Sequence, residues 1–203
     1  MSYIEDKVTQ VEAFYTSLDK ELAQFQTKAK YTCISGCNKC CHSPNVETTI
    51  LELLPFAFHL YKENKAEEMY DRLLNNTNPT CILFDPTNTI TQKGGCSEYS
   101  YRALICRLFG FSFTRDKIGL PVLLACKEIK TQHAEAFENI EFKAQQGMDV
   151  PLISNYYNQL TNIDYNLTQK QYPINEALKL AIEMVLNHFH YSEPINEEQR
   201  NAS

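Results

Sequence analysis

Cys33, Cys37, Cys40 and Cys41 crowd four thiols into nine residues, and this crowding constrains the chain more than any other feature of its sequence. A buried free cysteine packs as a small hydrophobe. Here the intervening Ser35, Gly36, Asn38 and Lys39 are poor company for a core. Gly36 can take a left-handed backbone angle and fold the amides around an ion. Cys37 and Cys40 have the two-residue gap that turns both thiolates inward on one centre. Cys33 and Cys37 lie four apart, so one helical turn would put them on one face. Cys40 and Cys41 are neighbours whose side chains diverge. They are better placed to serve different metal atoms, or for one to bind while the other packs. Four further thiols, Cys81, Cys96, Cys106 and Cys126, follow downstream. His42 offers another donor, although an exposed loop histidine is the plainer reading.

The compartment decides how such thiols are read. Met1 to Lys7 lacks a basic stretch followed by an apolar one, so a cytoplasmic location is expected. Thiols stay reduced there, and clustered cysteines then indicate metal ligation or catalysis rather than bridges. At 203 residues the chain can bury a core without disulfide staples. The apolar runs are too short to span a bilayer. A net charge of −6 argues against a broad nucleic-acid surface. No Gly-rich phosphate loop, dinucleotide fingerprint, HExxH or serine elbow is present.

The expected fold is mainly α: one helical domain with a small irregular or β-hairpin region that carries the cysteines. Ile4, Val8, Val11, Tyr15, Leu18, Leu22, Phe25 and Ala29 recur at gaps of four and three, which predicts a helix over 3–29 with a heptad seam. That seam lies on its own domain or supports weak self-association or a protein partner. Thr49-Ile50-Leu51-Glu52 is a capping box that opens a helix running to about Tyr61, with Leu53, Leu54, Ala57, Phe58 and Tyr61 on its apolar face. A second helix is expected over about 65–74. Ser97 can cap a short helix carrying Tyr99, Arg102, Cys106 and Arg107, and the alternation from Phe111 followed by Asp116 to Gly119 predicts a hairpin before Cys126. Helical patterns follow over roughly 127–146, 151–161 and 173–190, with Pro151 and Pro173 suited to the first turn. Four segments result: the helix 1–30, a cysteine core over 31–130, C-terminal helices over 131–191 and a polar tail over 192–203.

Taken together, Cys33-x3-Cys37-x2-Cys40-Cys41, Cys81 to Asp85, Cys96-x2-Tyr99-x2-Arg102-x3-Cys106-Arg107 and Cys126 resemble the CxxCxxCC cysteine-cluster proteins, also called YkgJ-like. The resemblance spans about residues 33 to 126 and implies chelation of zinc or iron. Two departures stand out: three residues rather than two fill the first gap, and Ala103 replaces the family's proline. A similar arrangement occurs in the much longer flagellin lysine methylases.

All eight cysteines, Cys33, Cys37, Cys40, Cys41, Cys81, Cys96, Cys106 and Cys126, are candidate ligands, with Cys126 the weakest because Leu123-Leu124-Ala125 precedes it. Thiolates on a metal leave excess negative charge, and Lys39, Arg102, Arg107 and Lys127 are candidates to offset it. The two arginines serve equally well as salt-bridge residues. All-thiolate ligation selects zinc or an iron–sulfur cluster. Cys81, Cys96, Cys106 and Cys126 are 15, 10 and 20 apart, which supplies no second knuckle for a zinc ribbon. Ligands arriving singly, and the crowding at Cys40-Cys41, tip the balance toward iron–sulfur, with Zn²⁺ close behind. Function is then a structural or sensory metal-binding role. The alternative is an iron–sulfur enzyme or redox accessory that modifies protein side chains, similar to the methylases.

Overall fold

The computed structural model describes residues 1–32, 38–87 and 95–192, without the side chains of Lys39 and Ser192. Helix α1 spans Tyr3–Ala29. Ser2 opens it with a capping box to Glu5, satisfying two of the donors that a helix start leaves unpaired. All eight residues of the heptad seam are buried within the chain, as expected of a seam that lies on its own domain. At the far end Lys30 takes a left-handed conformation (φ 52°), and the Tyr31 amide reaches back to the Gln26 carbonyl at 3.3 Å. This turn buries Tyr31 two residues before Cys33.

Next come β1 (Glu47–Thr48), α2 (Ile50–Lys62) and α3 (Ala66–Leu74). The expected capping box of α2 is present, but its apolar face is wider than the spacing suggested. Every residue from Leu51 to Ala57 is buried, and Leu60 with them, while Phe58 and Tyr61 are only partly covered. A helix apolar nearly all round belongs in the middle of a core. Accordingly, α2 packs between α1 and the last helix, α9 (Ile174–Ser192), whose fully buried Ala177 and Ala181 allow close approach. Leu54→Ala, at a fully buried position, is expected to lower folding stability by about 2–5 kcal/mol in urea denaturation.

Between α3 and α9 lie β2 (Phe84–Asp85), β3 (Gly95–Cys96), α4 (Leu104–Leu108), β4 (Phe113–Arg115), β5 (Pro121–Leu123), α5 (Lys127–Gln132), α6 (Ala134–Gln145), α7 (Ile153–Ile163), α8 (Tyr165–Thr168) and β6 (Tyr172–Pro173). Among the described residues the strands form three small antiparallel pairs, β1 with β6, β2 with β3 and β4 with β5. The first pairs Glu47 with Pro173 and Thr48 with Tyr172, pinning the start of α2 to the start of α9. The β4–β5 pair is the expected hairpin. Its turn is held by the Asp116 carboxylate, which accepts from the amides of Ile118 (3.0 Å) and Leu120 (2.9 Å). Gly119, at φ +87°, supplies the backbone angle that L side chains rarely adopt.

Two apolar clusters result. The larger joins α1 as far as Leu22 to α2, α3, α4, α7 and α9; the smaller gathers Phe25, Ala29, Tyr31, the β4–β5 hairpin, α5 and α6. α1 runs through both.

Several expectations need correction. No continuous helix runs from Ser97 to Arg107: a 3₁₀ turn over Tyr99–Tyr101 gives way to extended Arg102 and Ala103 before α4 begins. The pattern over 127–146 is broken at His133, which leaves helical angles (φ −127°, ψ 40°) and separates α5 from α6. Neither proline enters a helix: α7 starts two residues after Pro151, and Pro173 sits in β6. The short α8 and the β1–β6 and β2–β3 pairs are too brief to show any periodicity in the sequence.

Candidate metal centre

Four separate segments deliver thiols to one neighbourhood. Lys39–His42 forms a 3₁₀ turn carrying Cys40 and Cys41, and the His42 ring rests on Phe84 of β2 with centroids 4.4 Å apart. In the β2–β3 pair, Phe84 lies opposite Cys96. Cys81 precedes β2, and Cys106 sits in the single turn of α4. Cys40 is exposed, whereas Cys41, Cys81, Cys96 and Cys106 are half-buried. Cys33 and Cys37 lie outside the described residues, as does the Lys39 side chain. Among the described residues, no three cysteine, histidine or acidic side chains form a ready coordination shell.

Electrostatics tie the five thiols together. The Cys41 thiol donates to Cys40, which holds the Cys40 thiol below the usual value and pushes Cys41 above it. Burial raises Cys81 to about 11, with the charge of Cys96 adding to it. Cys96 is raised, first by burial, and Cys106 is pushed up to about 12 by burial and by the charges of Cys81 and Cys40. Apart from Cys40, these thiols resist ionisation until a cation joins them. Backbone amides point the other way: that of Leu83 is turned to the Cys81 sulfur and that of Glu98 to Cys96, each two residues downstream, and each favours the thiolate. Soft donors, amide support and mutual repulsion together fit a thiophilic metal.

These shifts fix a sign. A metal that takes these thiols as thiolates displaces their protons, so binding and protonation compete. With Cys81 near 11 and Cys106 near 12, zinc affinity is expected to rise steadily from pH 6 to pH 8 without a plateau, as read by competition with a chromogenic chelator. A flat profile would contradict this.

The candidate counter-charges part company. Arg102 lowers the thiols of Cys40, Cys96 and Cys106, so its positive charge lies close to the group. It is held over the Tyr99 ring at 3.6 Å and donates to the carbonyls of Tyr99 (3.1 Å) and Cys106 (3.4 Å). Arg107 points elsewhere. Buried at 5% exposure, it pairs with Asp19 of α1 at 2.6 Å, lies 4.3 Å from the Tyr15 ring centroid and donates to the carbonyls of Arg102 and Ser100. Cys126 packs against the smaller cluster and precedes α5, with Lys127 exposed beside it.

Two residues outside the candidate ligands and counter-charges hold the site's backbone. Glu52 is 1% exposed. One of its carboxylate oxygens accepts from the Thr49 amide (2.9 Å) and hydroxyl (3.1 Å), and the other from the Leu104 amide (2.9 Å). Burial raises its carboxyl, while these donors oppose the shift. Asn175 of α9 brackets Cys81, accepting from the Ile82 amide at 2.8 Å and donating to the Thr80 carbonyl at 2.9 Å. The capping box hid the long-range role of Glu52, and nothing in the sequence around Asn175 signals its role.

Fold and site define a mainly helical cysteine-cluster protein. Residues 32–143 match the family model CxxCxxCC, whose description reads "Putative zinc- or iron-chelating domain", and the chain belongs to this family. The description supports a metal-binding role at the level of zinc or iron. No curated protein and no solved structure matches the chain. Among the described residues, no helix is long and apolar enough to cross a membrane.

Proposed function

We propose that this protein chelates a metal through cysteine thiolates, with Cys40, Cys41, Cys81, Cys96 and Cys106 as its core donors and the loop thiols Cys33 and Cys37 completing the set. The observation that carries the reading is the match of residues 32–143 to a zinc- or iron-chelating family, together with the short elements around Cys40–Cys41, Cys96 and Cys106 that bring these thiols in from separate segments beside Arg102. Arg102 offsets the negative charge that thiolate ligation leaves on the centre, a role Lys39 would share. Arg107 acts one step back, holding the backbone of Arg102. The role is structural or sensory.

An iron–sulfur cluster is favoured over Zn²⁺. The donors exceed the four that one tetrahedral ion takes. Cys81, Cys96 and Cys106 arrive singly from separate segments, and Cys40 and Cys41 are adjacent, both of which suit several metal atoms better than one. A cluster bound here would supply redox-active iron. Protein purified without oxygen is expected to be brown, with broad absorption near ~400 nm and with iron and acid-labile sulfide. Colourless protein with stoichiometric zinc would overturn the preference for iron–sulfur and leave the thiolate reading intact.

A further inference from the structure

We infer that Asn175 and Glu52 are positioning residues of the metal centre, each fixing the backbone beside one cysteine from a helix that supplies no thiol itself. This rests on the metal-chelating reading above. Asn175 engages the chain on both sides of Cys81: its Oδ1 accepts from the Ile82 amide (2.8 Å), and its Nδ2 donates to the Thr80 carbonyl (2.9 Å) and the Asn78 carbonyl (3.2 Å). The peptide units flanking Cys81 are therefore held as a neighbouring strand would hold them, which fixes the position of the Cys81 Cβ from which the thiol projects. Asn175 is the second residue of α9, whose start is tied by the Ile174 amide to the Val46 carbonyl at 2.9 Å and by β6 to β1. It also lies beyond residues 32–143, so the family's cysteine pattern does not include it.

Glu52 does the same for Cys106. Its Oε2 accepts from the amide of Leu104, the first residue of α4, where a helix leaves its amides unpaired. α4 has only five residues and no side-chain cap of its own, so the carboxylate from α2 supplies the partner that fixes where the turn begins. Cys106 follows two residues later. The other oxygen is occupied at Thr49, which fixes the carboxylate plane. A glutamine here cannot accept at both ends: satisfying Thr49 turns its NH₂ against the Leu104 amide.

Cobalt(II) titration under anaerobic conditions tests the idea, because thiolate–cobalt charge-transfer and d–d bands report both affinity and ligand geometry. Asn175→Ala and Glu52→Gln are expected to weaken cobalt binding roughly tenfold or more and to shift the d–d envelope. Leu54→Ala, which opens the core beneath the helix of Glu52 and leaves the bonds of Glu52 and Asn175 in place, is expected to lower the urea midpoint while keeping the wild-type affinity and spectrum. Asn175 is only half-buried, so its variant decides the matter if Glu52→Gln does not fold. Wild-type affinity and d–d bands in Asn175→Ala and in any folded Glu52→Gln would overturn the positioning role. Absence of a thiolate–cobalt band in the wild type would instead overturn the metal reading, and the positioning role with it.

Discussion

Replacing Cys106 with serine is expected to reduce metal affinity at least about a hundredfold, and the same change at Cys40 is expected to do likewise. A hydroxyl is a hard, protonated donor at neutral pH and a poor substitute for a thiolate on zinc or iron. Cys106 is the stronger test, because its sulfur feels the charges of Cys81, Cys40 and Arg102 together. Cys126→Ser should retain the metal, since that side chain packs on the smaller cluster, against the hairpin and α5–α6. Metal analysis of the three variants, purified side by side without oxygen, separates the outcomes. Equal loss in all three would place Cys126 inside the centre. Full retention in Cys40→Ser and Cys106→Ser would mean that the donor set is wrong.

Arg107→Ala is expected to lower folding stability by about 3 kcal/mol in urea denaturation. The guanidinium lies over Tyr15 and donates to the carbonyls of Ser100 and Arg102, so truncation leaves two acceptors unpaired and one ring face bare. The Asp19 partner adds less than its 2.6 Å separation suggests. Its side chain is 52% exposed and rehydrates when the arginine is removed. Arg107→Lys should recover only part of the loss, because one ammonium cannot reach three acceptors spread around a planar fork. A loss below about 1 kcal/mol for the alanine variant would contradict the clamp. Arg102→Ala provides the contrast: it should change metal affinity more than stability, since its positive charge lies close to the thiols.

What could be read from the sequence follows the range of the forces involved. The heptad of α1 was legible to the residue because burial of one helix face repeats every three to four positions, and all eight seam residues are buried. The capping box at Thr49 was legible because its two partners lie three residues apart. The hairpin before Cys126 announced itself through Asp116 and Gly119, whose turn chemistry is local. The face of α2 was misjudged because α1 and α9 cover it from two sides, and periodicity reports only one. In the site, the cysteines were legible by chemistry alone. That they must meet across α2 and α3 followed from that chemistry, but the elements that bring them together were not legible, because these are too short to show a pattern. Arg102 and Arg107 looked alike in sequence, and only tertiary packing sets one close to the sulfurs and the other on Tyr15. The tertiary bonds of Glu52, legible only as a helix cap, and of Asn175 were hidden for the same reason: they cross 52 and 93 positions to Leu104 and Ile82.

The central claim is that sulfur surrounds the metal, and X-ray absorption at the metal edge reads this directly. Protein purified without oxygen is expected to show a first shell of sulfur, at ~2.3 Å if the metal is zinc, with an additional metal–metal vector if it is an iron–sulfur cluster. The sulfur amplitude should fall in Cys106→Ser. A first shell of nitrogen and oxygen, or a sulfur shell unchanged by Cys40→Ser and Cys106→Ser alike, would contradict the account.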